Sequence, residues 1–133
     1  MKKVVMEMEE ETNKPASFGY ELLRKNVLPD ILGSDEHAIL YWAGKQLARR
    51  YPCSSSGEVA DFFRDAGWGE IVWKKERKKD VIAELSVDEK ANSFTKALEG
   101  GFLAEQWSRM KNTYAETYIE EKKKSTTMHI KWE

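Results

Sequence analysis

Between Ser55 and Gly67 the apolar residues Val59, Phe62, Phe63 and Ala66 fall at spacings of three and four, which marks one buried face of a helix. Ser55 followed by Glu58 forms a capping box that pairs two amides a helix start leaves open, and Gly67 supplies the stop. The same period runs upstream through Ile39, Trp42, Ala43 and Leu47. There Ser34 is the expected cap, Asp35 and Glu36 suit the positive helix start, Lys45, Arg49 and Arg50 suit the negative end, and Pro52 stops the helix. An earlier helix carrying Phe18, Leu22 and Leu23 is expected to end before Pro29, because proline disfavours helical geometry in the residue ahead of it. Leu28, Ile31 and Leu32 are expected to dock the next turn onto the core.

After Gly69 the period changes to two. EIVWKK and DVIAELSV read as strands joined by the basic turn ERKKD, with Val81, Ala83, Leu85 and Val87 on one face. The polar segment VDEKANS, placed to cover a pocket, leads to a helix for which Ser93 is the expected cap. In that helix, LEGGFLAEQWSRM, the residues Ala97, Gly101, Ala104 and Ser108 line up as a groove of small side chains. Leu103, Trp107, Met110 and Tyr114 form a bulky stripe beside it. Such a groove lets another backbone, or a ligand, come close. The tail fits two patterns: Trp107, Met110 and Tyr114 extend helically, while Tyr114, Glu116 and Tyr118 alternate like a strand. STTMHIKW sets Met128, Ile130 and Trp132 opposite His129 and Lys131, which favours a closing hairpin with YAETYIEE through the KKK turn. The order predicts an α+β domain, with helices packed on a mostly antiparallel four-stranded sheet. Residues 1–15 are expected to form a flexible charged arm and 16–133 a single domain.

At 133 residues, 41% hydrophobic and 34% charged, the chain has the composition of one folded domain. Its 22 basic and 23 acidic side chains leave a net charge of −1, so no global field draws nucleic acid. No apolar run approaches a membrane span, and the acidic EMEEE is unlike a secretion signal. Cys53, the single cysteine, forbids an internal disulfide, and a cytoplasmic location is expected.

Candidate chemistry is sparse. His37 and His129 share no ligand spacing with Cys53 or with a carboxylate cluster, so neither metal nor haem binding is expected. Ser54 to Ser56 lack a nucleophile-elbow setting, and Gly67-Trp68-Gly69 is a helix stop and strand entry rather than a phosphate loop. Glu99 and Glu105 are expected to reach solvent or pair with basic groups. Lys74, Lys75, Arg77, Lys78 and Lys79 at one hairpin turn, and Lys122, Lys123 and Lys124 at the other, are expected to solubilise the tips. If both tips meet at one edge, they add into a patch able to meet an RNA backbone or, weakly, an anionic membrane surface; Trp73 alone among the charges is thin support for specific nucleic-acid binding, which is not expected. Of the five tryptophans, most are expected in the core, the others at an interface.

Three passages, ILYWAGKQLARRY, AGWGEIVWKKE and LEGGFLAEQW, resemble the V4R-like fold shared with subunits of the TRAPP vesicle-tethering complex, and YAETYIEEKKKSTTMHIKW fits its closing hairpin. LRKNVLPDILG, YWAGKQLARRYP and the HIKW ending are most similar to the YslB-like family of small bacterial proteins. The resemblance covers residues 16–133. It implies a binding module, often dimeric, sometimes holding a hydrophobic ligand. In the TRAPP relatives a cysteine just after the glycine-containing helix carries or borders an acyl chain, and Cys53 occupies a similar position. The ligand-binding residues it implies are Trp42, Cys53, Phe63, Leu98, Gly101 and Phe102. Tyr118 and Met128 stand where some V4R domains have a cysteine pair, which argues against a metal there. The leading expectation is a non-enzymatic cytoplasmic binding or scaffolding module that forms a homodimer, with no catalytic residues and no cofactor. The alternative is a small-molecule sensor or enzyme using the same apolar pocket, with Cys53 or Glu105 as the reactive group.

Overall fold

The computed structural model describes residues 17–86 and 94–133. The helices α1 (Glu36–Arg50), α2 (Ser56–Asp65) and α3 (Ala97–Lys111) accompany the strands β1 (Glu70–Glu76), β2 (Asp80–Ser86), β3 (Ala115–Glu121) and β4 (Ser125–Trp132). The strands form one antiparallel sheet in the order β1-β2-β4-β3. Alternation decides which face is covered: Ile71, Val81, Ala83, Leu85, Ala115, Met128, Ile130 and Trp132 are buried. α3 packs on β3 and β4, and α2 packs near β1. Nine of the fifteen residues of α3 are buried, as befits a helix covered on more than one side.

Local signals explain most element ends. Ser55 accepts the Glu58 amide at the start of α2, and Glu58 accepts from the Ser54 hydroxyl at 2.7 Å and from the Ser54 amide. At the end of α2 the Trp68 amide donates back to the Phe63 carbonyl at 2.8 Å, across Gly67. Gly69 admits β1 to the sheet: its φ is +116°, and a Cβ there would lie 2.5 Å from the Ser86 carbonyl oxygen. The strand reading of the tail holds. α3 stops because Asn112 turns left-handed at φ 52°, and the Thr113 amide bonds the Ser108 carbonyl at 3.1 Å. Tyr114 therefore leaves the helical stripe and is exposed.

The N-terminal stretch differs from expectation in three ways. Helix does not stop before Pro29: a π turn over Leu23–Val27 leads directly into the helical turn Leu28–Leu32. The Leu28 amide reaches back to the Leu23 carbonyl, and Pro29 sits at a helix start where no N–H is needed. Ser34, expected at a helix cap, lies inside the 3-10 turn Gly33–Asp35, which runs on into α1 at Glu36. Ile31, expected to dock, is 72% exposed. By compactness the chain forms a unit ending at Glu36 and a unit His37–Glu133. The arm, Val87, the VDEKANS segment and the Ser93 cap lie outside the described residues; at the start of α3, Thr95 Oγ1 accepts the Ala97 amide at 3.2 Å.

Candidate functional site

Two glycines bring α1 and α3 together backbone to backbone. A Cβ on Gly44 would lie 2.7 Å from the Phe102 amide nitrogen, and one on Gly101 would lie 2.8 Å from the Tyr41 carbonyl carbon. The small-residue groove of α3 is thus a contact seam, and the neighbour filling it at Gly101 is α1 of the same chain. One turn along, Tyr41 covers the open edge of the sheet. Its hydroxyl accepts the Thr117 amide at 3.1 Å and donates to Glu116 Oε2 at 2.6 Å, while Lys45 lies 3.4 Å from Glu116 Oε1. Burial and the Glu116 carboxylate push the Tyr41 hydroxyl well above the usual phenol range.

The six expected ligand residues do not converge on one site. Phe63 and Phe102 are fully buried in a ring cluster: Phe62 stacks on Phe102 at 4.4 Å, and Trp68 meets Phe63 at 5.0 Å and Phe102 at 5.4 Å. Leu98 and Gly101 belong to the glycine seam, where the Leu98 carbonyl faces Gly44. Cys53 is half-buried in the connection between α1 and α2. Its amide donates to Gln106 Oε1 at 2.9 Å, and Gln106 Nε2 donates to the Tyr51 carbonyl at 2.8 Å. Burial, then the Glu58 charge, pushes the Cys53 thiol up, the direction that disfavours the nucleophilic thiolate. Glu105 pairs with Arg49 at 3.2 Å, and Glu99 is buried.

Trp42 points the other way. It is 61% exposed on the outer face of α1, with Ile39 at 41% exposure one turn before it. Beside the indole, a hollow of about 280 Å³ is lined by Trp42, Ala43, Gln46, Leu47 and Arg50. The other four tryptophans are buried or half-buried, so Trp42 stands apart as an uncovered ring. In the unit ending at Glu36, Phe18, Leu22, Leu23, Val27 and Ile31 are also exposed.

On the polar face of the sheet, Asp80 gathers two partners, Arg77 and His129. Arg77 Nε and Nη2 donate to its two oxygens at 2.9 and 2.8 Å, and His129 Nε2 lies 2.7 Å from Oδ2. Hydrogen bonds from His129 and Arg77 hold the Asp80 carboxyl below the usual carboxylate range. These three residues line an open cleft of about 490 Å³ with Lys79, Lys131 and Trp132. The condition for a shared basic patch, both turns meeting at one edge, is not met. Antiparallel pairing sets Asp80 against Lys131 and Ser86 against Ser125, so the turn before β2 and the turn before β4 lie at opposite ends of the sheet. No three His, Cys, Asp or Glu side chains converge in a metal-binding group among the described residues. None of the described helices is long and apolar enough to cross a membrane.

Tyr41, Gln106 and the Asp80–His129 pair were not singled out by the sequence. Gln106 carried a signal, as a polar residue between the small groove and the bulky stripe. The Asp80–His129 pair needed the register of β2 against β4, which no local pattern encodes.

Helices packed on this antiparallel sheet define a V4R-like fold. A vinyl-4-reductase family protein from Methanocaldococcus jannaschii shares it with a TM-score of 0.57 and 13% identity, over 71% of this chain and 68% of that one. The chain belongs to the family described as protein of unknown function (DUF2507), whose sequence model matches residues 17–133. A relative in Bacillus subtilis (strain 168), the uncharacterized protein YslB, is 38% identical over 125 residues, covering 88% of this chain and 84% of the relative.

Proposed function

We propose that the protein is a non-enzymatic binding module whose working surface is the outer face of α1 and whose partner is a second copy of the chain. The observation that carries this reading is the two-sidedness of α1. One side is pressed against α3 through Gly44 and Gly101, while the other leaves Ile39 and the Trp42 ring in water beside a hollow. A large uncovered aromatic next to a concavity is the usual composition of an interface centre. The expected apolar ligand finds less support, because the Phe62, Phe63, Trp68 and Phe102 rings pack on one another and the glycine seam holds backbone. The raised Cys53 thiol and the Arg49-paired Glu105 likewise favour binding over catalysis.

A helix of fifteen residues is roughly 22 Å long and about 10 Å wide, so this contact alone covers less than the roughly 800 Å² per partner of a standard interface. Association in the micromolar range follows. Sedimentation velocity over that range tests it, comparing the protein with Trp42→Glu. The native chain is expected to pass from monomer to dimer with concentration. The variant, altered at an exposed site, is expected to keep its helical signal and remain monomeric, losing about 2 kcal/mol of association, roughly thirty-fold in Kd. A native chain monomeric throughout, or a variant that associates equally well, overturns the reading.

A further inference from the structure

Resting on that reading, we infer that the two copies pair antiparallel along α1 about a two-fold axis at Ala43, each Trp42 ring seated in the other copy's hollow. Ala43 is the middle residue of α1, and the outward positions are arranged evenly about it, with Ile39 four residues before and Leu47 four after. A two-fold there sets Ile39 against the partner's Leu47, apolar on apolar, and places the smallest side chain of the stripe at the crossing, where the helices approach most closely.

The lean of helical side chains decides the direction. Side chains on a helix tilt toward its N-terminus, so the Trp42 ring extends over positions just before its own Cα. In an antiparallel pair that tilt carries the indole toward the partner's residues near 46 and 47, where the hollow lies. In a parallel pair the same tilt carries it away from the hollow. Charge agrees. Arg50 lines the hollow, Arg49 is held by Glu105, and the first turn of α1 carries Glu36. Antiparallel pairing brings the basic last turn of each helix to the acidic first turn of the other copy and opposes the two helix dipoles, whereas parallel pairing sets Arg50 on Arg50 and aligns the dipoles.

Disulfide trapping in a Cys53→Ser background tests the arrangement, each variant first being confirmed as a dimer by sedimentation. Ala43→Cys is expected to cross-link with itself, and a mixture of Ile39→Cys and Leu47→Cys is expected to give the mixed dimer. Leu47→Cys alone is expected not to cross-link, because its two copies sit roughly 12 Å apart along the axis, beyond disulfide reach. Self-cross-linking of Leu47→Cys, or a dimer in which Ala43→Cys fails to cross-link, overturns the antiparallel two-fold while leaving self-association intact. A native chain that never dimerises removes the reading on which it rests.

Discussion

Gly101 lies directly against the main chain of Tyr41, so that a methyl group on the glycine would meet the Tyr41 carbonyl carbon at 2.8 Å. Backbone cannot swing aside as a flexible side chain can, and the neighbouring contact between Gly44 and the Phe102 amide closes the same seam from the other helix. Much else follows from this one approach, because it also brings Tyr41 to the sheet edge and turns Trp42 outward.

Gly101→Ala is expected to destabilise the fold by about 3 kcal/mol, at the upper end for overpacking, read as a lower urea midpoint. Gly44→Ala is expected to act alike. The double variant should lose less than the sum of the two, since either methyl already forces the helices apart. Unchanged midpoints would show that the helices do not touch there.

Tyr41→Phe removes the acceptor of the Thr117 edge amide and is expected to cost about 1–2 kcal/mol, with faster hydrogen exchange at Thr117. It should also change the alkaline limb of stability. The ordinary tyrosine value is 10.0 and the fold raises it, so above that pH the unfolded chain releases a proton that the folded chain keeps. Stability present below pH 10.0 therefore falls as pH rises beyond it. Urea midpoints at about pH 8 and about pH 11 should fall further for the native chain than for the variant; equal falls would exclude a buried Tyr41 hydroxyl.

Asp80→Asn tests the acid limb. The native carboxyl is held below its ordinary 3.8 by His129 and Arg77, so it contributes stability above that pH that disappears as pH falls through the depressed value. From about pH 6 to about pH 2 the native midpoint is expected to fall more than that of the variant. Parallel curves would mean that the two partners do not act on Asp80.

Gln106→Leu strands the Cys53 amide and the Tyr51 carbonyl together, at an expected cost of about 1–3 kcal/mol. Freed from Gln106, the connection between α1 and α2 should open more often, and Cys53 should alkylate faster than in the native protein. An unchanged alkylation rate would show that Gln106 does not hold that loop.

Periodicity and end signals made most of the fold legible. Val59 and Phe63 mark α2, the alternation of Val81, Ala83 and Leu85 marks β2, and Met128, Ile130 and Trp132 mark β4. Pro29 misled, because a π turn carries the chain past it. The site was legible only in pieces. Trp42, Cys53, Phe63, Leu98, Gly101 and Phe102 are expected to share a pocket, yet they divide among an outer helix face, the connection between α1 and α2, a ring cluster and a backbone seam.

By itself the sequence determined where helices and strands lie, which face of each is apolar, and the family to which the chain belongs, since these depend on residues within a few positions of one another. Tertiary structure decided what meets each face. Whether small residues at Gly101 receive a ligand, another molecule or a neighbouring helix, and whether two basic turns share an edge, are questions of distance between remote segments. Those distances are set by strand register and helix packing, which short-range side-chain pattern does not encode.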